Sequence, residues 1–149
     1  MDDKVVVDAS VWVSSLQHQD VNHVASRLWM EKYITQGGLL IAPTILLIEV
    51  AAAISRRTGE SILAREAIKV LTSASSMQLI PMDATLVQVA VNVAADLQLR
   101  AGDAIYVAVA RKMNIPLVSW DKEQIQKASI NSLAYTPSEY ISQEETPED

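Results

Sequence analysis

The sequence predicts an α/β fold with a single domain, in which helices flank a mainly parallel central sheet of about four to five strands. Short apolar runs of strand length alternate along the chain with longer segments of helical periodicity. The strand-like runs are almost continuously apolar, as expected where helices cover both faces of a sheet. The chain has 149 residues, half of them hydrophobic, which suits one domain around one core.

The first half of the chain contains two predicted strands and three predicted helices. Residues 4–8 (K-V-V-V-D) form an apolar strand that ends in an acid. Asn22 is placed to cap a helix that ends at about Gln36, before a pair of glycines. Residues 39–42 form the second strand, and Pro43 suits the first turn of a helix that runs to about Arg57. Residues 60–73 form the next helix, and we expect Ile62 to be one of its core residues.

The second half repeats this alternation. Residues 77–80 form the third strand, and Asp83 caps a long helix whose apolar face includes Leu86, Val93 and Leu97. Residues 103–113 form an Ala- and Val-rich helix, and residues 115–120 a strand that leads directly into Asp121. A short helix and a last strand near residues 133–135 complete the domain. We therefore expect a domain over residues 1–141 and an acidic, mobile tail over residues 142–149.

The net charge of −6 is unevenly distributed. Residues 139–149 hold five acids and no Lys or Arg, which leaves 13 acidic and 12 basic residues in the rest of the chain. Basic side chains on this nearly neutral body either contact phosphates or belong to solvated helix faces. They form two groups in the sequence, Arg56, Arg57, Arg65 and Lys69, and then Arg100, Arg111 and Lys112.

Composition excludes several classes of site. The chain has no cysteine, so it has neither disulfides nor a thiolate zinc site. The two histidines, His18 and His23, are too few for a multi-histidine metal centre and suit a polar loop. The sequence shows no secretion signal and no apolar run long enough to span a bilayer, so we expect a cytoplasmic protein without membrane contact.

Four of the 18 acids stand in unusual places. Asp8 and Asp121 follow predicted strands, and the carboxyl ends of strands are where α/β sheets bind ligands. Glu49 is the only polar residue in an apolar helical run, and Asp103 opens another apolar helix. Each has an ordinary alternative. Asp8 and Asp121 can cap helices, Asp103 suits a helix N-terminus, and Glu49 can pair with an arginine such as Arg56.

One cluster of carboxylates would account for all four positions. Acids held close together repel one another, so such a cluster indicates a bound cation. Carboxylate oxygens are ligands that Mg²⁺ prefers, and Mg²⁺ usually keeps several waters in its shell. A cation held this way can activate water and stabilise charge on a phosphoryl oxygen, which favours phosphodiester hydrolysis.

Four sequence blocks surround the four acids. They are V-V-V-D-A-S-V-W at Asp8, P-T-I-L-L-I-E-V at Glu49, L-R-A-G-D-A-I-Y-V-A-V-A at Asp103, and P-L-V-S-W-D at Asp121. In their order and spacing these blocks resemble the PIN-domain family, specifically the VapC-like ribonuclease toxins of toxin–antitoxin pairs. The resemblance covers the chain to about Tyr140.

The resemblance implies a PIN-like fold and Mg²⁺- or Mn²⁺-dependent endoribonuclease activity. It implies that Asp8, Glu49, Asp103 and Asp121 are the metal-binding and catalytic acids. The hydroxyls of Ser119, and similarly Ser10, would support these ligands through hydrogen bonds. The family often has an aromatic residue shortly after the last acid, whereas here K-E-Q-I follows, so Asp121 is the least certain direct ligand.

The same resemblance implies an RNA substrate, a homodimer and an antitoxin partner. Three aromatic residues, Trp12, Trp29 and Tyr33, either contribute to such surfaces or belong to the core. The main alternative is a catalytically inactive PIN-like module that binds RNA or a protein partner. A haloacid-dehalogenase-type phosphatase would need an acid where Ser10 stands, and a receiver domain would need one directly after its third strand, where Pro81 stands.

Overall fold

Five short parallel strands form one central sheet with helices around it, which confirms the predicted α/β class. The computed structural model describes residues 3–130 and 132–144. The elements follow in the order β1 (Lys4–Val7), α1 (Ala9–Leu16), α2 (His23–Thr35), β2 (Leu39–Pro43), α3 (Ile45–Thr58), α4 (Ser61–Ser73), β3 (Met77–Ile80), α5 (Ala84–Leu97), α6 (Ala101–Met113), β4 (Leu117–Val118), α7 (Lys122–Ala128), β5 (Ala134–Tyr135) and α8 (Pro137–Glu144).

The sheet has the strand order β3-β2-β1-β4-β5, with β1 at its centre. Val5, Val6 and Val7 of β1 are completely buried, because the strand is covered on both faces. Val6 pairs with Ile41 of β2 on one side and with Leu117 of β4 on the other. The chain thus builds the sheet outward from β1, first through β2 and β3 and then through β4 and β5.

Several helix boundaries follow the predicted signals. Asp83 caps α5, since its Oδ1 accepts a hydrogen bond of 2.8 Å from the backbone N–H of Leu86. Gly59 ends α3 with a φ of 73°, a left-handed conformation that glycine adopts without strain. Asn22 precedes α2 as predicted, but its side chain makes no capping hydrogen bond. Pro43 is the last residue of β2 and does not belong to the first turn of α3.

One helix was not predicted, and one core residue was predicted wrongly. No sequence signal was assigned to α8, and α1 was expected only through the alternative that Asp8 caps a helix. Ile62 is 69% exposed, because it lies in the first turn of α4, a helix that packs mainly on α3 through one face and buries Ala64 and Leu71. The predicted start of the acidic tail at residue 142 falls within α8, and residues 145–149 lie outside the described residues.

The aromatic side chains of α2 belong to the core. Trp29 and Tyr33 are 1% exposed, with ring centroids 5.5 Å apart, and both rings meet Tyr140 of α8 edge to face. Trp12 in α1 is also buried. All three aromatic side chains therefore belong to the core, and the alternative that placed them on a partner surface is wrong. Within the described residues, no helix is long and apolar enough to cross a membrane.

Candidate active site

The sheet topology brings two strand ends with acids next to each other. The strand order changes direction between β1 and β4, and such a switch point is where open α/β sheets form a crevice for ligands. Val7 and Val118 are paired in register across these strands. Asp8 therefore leaves β1 beside Ser119, and Asp121 follows two residues later.

Asp8 is a buried carboxylate with both oxygens engaged. Its Oδ2 accepts a hydrogen bond of 2.9 Å from the backbone N–H of Ser10, so Asp8 also caps α1 as the simpler interpretation proposed. Its Oδ1 accepts a hydrogen bond of 3.1 Å from the side-chain amide of Gln124. Burial raises the pKa of Asp8, the hydrogen bonds from Ser10 and Gln124 lower it in part, and the charge of Asp121 raises it further.

Glu49 lies half-buried on α3 and is held by a tyrosine. The Tyr106 hydroxyl donates a hydrogen bond of 2.9 Å to Oε1 of Glu49. Partial burial raises the pKa of Glu49, the Tyr106 hydrogen bond lowers it, and the charges of Asp8 and Asp103 raise it. The described residues show no ion pair between Glu49 and Arg56, whose side chain is exposed. The structure thus places Glu49 with the other acids.

Asp103 occupies the first turn of α6, as its position before an apolar helix predicts. Its pKa is raised from 3.8 to about 6, first by loss of solvent and then by the charges of Asp8 and Asp121. The charge of Arg100, the residue that precedes α6, lowers this pKa. A helix N-terminus favours a carboxylate, whereas partial burial and the neighbouring acids act in the opposite direction on Asp103.

Asp121 caps α7 and belongs to a loop that two serines hold in place. Its Oδ1 accepts a hydrogen bond of 3.0 Å from the backbone N–H of Gln124. The backbone N–H of Asp121 donates to Oγ of Ser119 at 3.0 Å, and the N–H of Trp120 donates to Oγ of Ser10 at 3.1 Å. The two hydroxyl oxygens are 3.4 Å apart. Ser10 and Ser119 therefore fix the backbone that carries Asp121, and the Ser10 hydroxyl also lowers the pKa of Asp8.

The chemistry of this group of acids fits a hard cation. None of the four acids forms an ion pair with a basic side chain in the described part of the chain. Negative charge is therefore concentrated here, on oxygens of the kind that Mg²⁺ and Mn²⁺ prefer. Among residues 3–130 and 132–144, no three His, Cys, Asp or Glu side chains are arranged as a ready-made metal centre. The carboxylates interact electrostatically without forming a closed coordination sphere.

Two side chains that contact these acids, those of Tyr106 and Gln124, were not predicted from the sequence. Tyr106 follows Asp103 by three residues and so lies on the same face of α6. Gln124 is completely buried and donates hydrogen bonds both to Asp8 and to the backbone carbonyl of Asp103. A polar residue inside an apolar helical pattern was the available signal for Tyr106. No such signal existed for Gln124, because α7 is short and its sequence shows no apolar face on which a polar residue would stand out.

One large cavity of the described structure lies away from the four acids. It has a volume of about 760 Å³ and lies between the end of α1, the end of α3 and α4. Its lining includes Leu16, Ile54, Arg57 and Leu63, and none of the four acids. Arg57 is tied to Asp20 by an ion pair of 3.0 Å on its edge. This cavity therefore does not coincide with the site that the grouped acids indicate.

Comparison with known proteins identifies the family. The model of the PIN domain family matches residues 5–130, so the chain belongs to the PIN domain family. No match was found among curated proteins. Solved structures with the same fold include toxins of VapBC toxin–antitoxin systems.

Three solved structures illustrate the likeness. VapC20 of Mycobacterium tuberculosis, a toxin that cleaves the sarcin-ricin loop, is 18% identical, with a TM-score of 0.69 over 87% of this chain and 96% of that chain. VapBC2 of Rickettsia felis, bound to a fragment of its promoter DNA, is 13% identical, with a TM-score of 0.68 over 89% and 96%. A toxin–antitoxin complex of Klebsiella pneumoniae is 16% identical, with a TM-score of 0.66 over 89% and 97%.

Proposed function

We propose that this PIN-domain protein is a Mg²⁺- or Mn²⁺-dependent endoribonuclease and the toxin of a toxin–antitoxin pair. The observation that carries the proposal is the electrostatic interaction among Asp8, Glu49, Asp103 and Asp121 near the switch point of the sheet, where none of the four forms an ion pair within the described residues. The toxin identity of similar structures supports the RNA substrate and the biological role.

The four acids would divide the work of holding the cation. Asp8 is the central ligand of the proposed site, because hydrogen bonds from two sides fix its carboxylate. Asp103 would contribute a second carboxylate and Glu49 a third. Asp121 uses Oδ1 to cap α7, so we assign it a weaker role, through water or through its charge. When bound, a divalent cation supplies Lewis-acid activation of the attacking water and stabilisation of charge on the phosphate.

Glu49 has a second role in the proposed mechanism, and Arg100 adds a basic side chain to it. Glu49 is anchored at Oε1 by Tyr106, and its Oε2 lies beside Gly102 in the first turn of α6, where it can accept the proton of the attacking water. Arg100 is exposed directly before α6, close enough to Asp103 to lower its pKa. We assign its guanidinium a contact with an RNA phosphate next to the cleaved bond.

The test is cleavage of total RNA by the purified protein. We expect cutting with Mg²⁺ or Mn²⁺ and none after chelation, with 5′-phosphate and 3′-hydroxyl ends. Asp8→Asn and Asp103→Asn should each abolish metal-dependent cutting and keep the fold, whereas Asp96→Asn, at an exposed position on α5, should cut like wild type. Products that end in a cyclic phosphate would contradict hydrolysis by water, since they arise from attack by the RNA's own 2′-hydroxyl.

The second candidate is a PIN module that binds RNA or a protein partner without cutting. The absence of a ready-made three-ligand centre among the described residues is the observation that favours it. RNA binding by wild type with no cleavage at any Mg²⁺ or Mn²⁺ concentration would establish this alternative. The homodimer and the antitoxin are proposals from the family. Light scattering of the purified protein tests the first, and suppression of its toxicity by a co-encoded small protein tests the second.

A further inference from the structure

Gln124 is a buried polar residue whose side chain contacts two of the four acids. It is the third residue of α7 and its side chain is completely inaccessible to solvent. Burying an amide is costly unless its polar atoms find partners. Within the described residues its Oε1 accepts no hydrogen bond. An apolar side chain of the same size would avoid that cost, so stability alone does not account for a glutamine here.

The usual role of this position does not explain the side chain either. A glutamine three residues after an Asp cap typically reaches back to the backbone N–H of the cap, as in a capping box. In this protein the N–H of Asp121 already donates to Oγ of Ser119. The backbone of Gln124 does take its part in the cap, by donating to Oδ1 of Asp121. The side-chain amide of Gln124 therefore takes no part in the cap.

The side-chain amide joins two separate parts of the fold. Its Nε2 donates a hydrogen bond of 3.1 Å to Oδ1 of Asp8 and one of 3.2 Å to the backbone carbonyl of Asp103. Both partners are acceptors, so the orientation of the amide is fixed. Asp8 follows β1 and Asp103 lies in α6, so the amide links the strand end to the first turn of that helix.

The contact leaves Asp8 able to bind a cation. Each carboxylate oxygen has about two lone pairs. The backbone N–H of Ser10 uses one on Oδ2 and Gln124 uses one on Oδ1. The Ser10 hydroxyl also interacts with this carboxylate, so at least one lone pair remains for a cation. A lysine or arginine in place of Gln124 would compete with a cation, and a carboxylate would repel Asp8. A neutral donor fixes the ligand and leaves the net charge of the site unchanged.

From this geometry we propose that Gln124 is a positioning residue, which holds the Asp8 carboxylate at a fixed place relative to α6 so that Asp8 and Asp103 can share a divalent cation. The inference rests on the proposed function to the extent that it requires a cation at Asp8. It concerns how a ligand is oriented, and neighbours that orient metal ligands typically change metal affinity about 10- to 100-fold when they are removed.

The experiment compares Gln124→Met with Gln126→Met, which changes an exposed glutamine two residues further along the same helix. Mn²⁺ binding is measured by calorimetry without RNA. We expect Gln124→Met to weaken Mn²⁺ binding about 10- to 100-fold and Gln126→Met to change it less than twofold. In the cleavage assay the half-saturating Mn²⁺ concentration should rise equally, while the rate at saturating Mn²⁺ largely recovers. A merely structural role would lower the folded fraction without moving the half-saturating concentration.

The outcomes separate this inference from the proposed function. Mn²⁺ binding that is lost in Asp8→Asn but unchanged in Gln124→Met overturns only the role of Gln124. Equal Mn²⁺ binding by wild type and Asp8→Asn overturns the metal site and the positioning role with it. Should Gln124→Met fail to fold, NMR of wild type decides. The side-chain amide signals of Gln124 should shift on saturation with Mg²⁺ while those of Gln126 stay, and unmoved Gln124 signals overturn the inference.

Discussion

Without a cation, the grouped acids should destabilise the fold, and Asp103→Asn tests this directly. The pKa of Asp103 is raised from 3.8 to about 6, a difference of about 2.2. At about 1.36 kcal/mol for each pKa unit, ionised Asp103 would cost the native state about 3 kcal/mol. Because the group is only half-buried, solvent screening reduces this to about 2 kcal/mol. Asparagine also loses the favourable interaction of a charged carboxylate with the N-terminus of α6, which lowers the expected gain in stability by about 0.3–1 kcal/mol.

We therefore expect metal-free Asp103→Asn to be about 1 kcal/mol more stable than wild type at pH 7.5. The sign follows from linkage. A carboxyl whose pKa is higher in the folded state loses its contribution to stability as the pH rises, here between about pH 4 and 6. The gain of Asp103→Asn should therefore be absent near pH 4 and complete above about pH 6.

Urea denaturation with a chelator, at several pH values from 4 to 8, measures these free energies. Asp96→Asn, at the exposed position on α5, is the matched control and should show no such gain. Adding Mg²⁺ should reverse the order, since it stabilises wild type by binding only the folded state. An Asp103→Asn protein that is less stable than wild type at pH 7.5, or equally stabilised at pH 4 and 7.5, would refute the reasoning.

Three other predictions follow from the same contacts. Mn²⁺ affinity, measured by calorimetry from pH 5 to 8, should fall below about pH 6 because protons compete for Asp103, and a flat profile would contradict this. Tyr106→Phe removes the hydrogen bond to Glu49, so the pKa of Glu49 should rise in an NMR titration and the unfolding free energy should fall by about 1–2 kcal/mol. Gly102→Ala places a Cβ 3.5 Å from Oε2 of Glu49, which is an ordinary contact distance. Because alanine favours a helix more than glycine does, urea denaturation should show a stability that is unchanged or up to about 1 kcal/mol greater. A clear loss of stability would indicate that Glu49 needs the open space beside Gly102.

The sequence was most informative where the residue pattern and the backbone geometry coincide. Continuous apolar runs predicted the parallel strands, because a strand covered on both faces tolerates few polar side chains. The same reasoning located Asp8, which directly follows β1, and Asp121, which lies three residues beyond the end of β4, near the carboxyl ends of these strands. The sequence could not decide whether Asp8 and Asp121 cap helices or belong to the group of acids. Each carboxylate has two oxygens, so each residue can do both.

The sequence was least informative where tertiary contacts decide. Ile62 has the character of a core residue, yet α4 packs mainly through one face, and its first turn remains exposed. Trp12, Trp29 and Tyr33 could have been core or interface, and only the position of α8 shows that the latter two are enclosed. In each case the amino-acid type is compatible with both environments, and neighbours distant in sequence determine which one applies.

Gln124 shows why the support of a site is harder to predict than its acids. Asp121 and Gln124 have the sequence spacing of a capping box, and the backbone half of that motif is present. The side-chain half is replaced, because Ser119 satisfies the backbone N–H of Asp121. Ser119 stands two positions before Asp121, whereas Gln124 stands 116 positions after Asp8. Because Ser119 takes the place of the glutamine side chain in the cap, the amide of Gln124 is available to bind Asp8, near the start of the chain. No local sequence pattern could have predicted that contact.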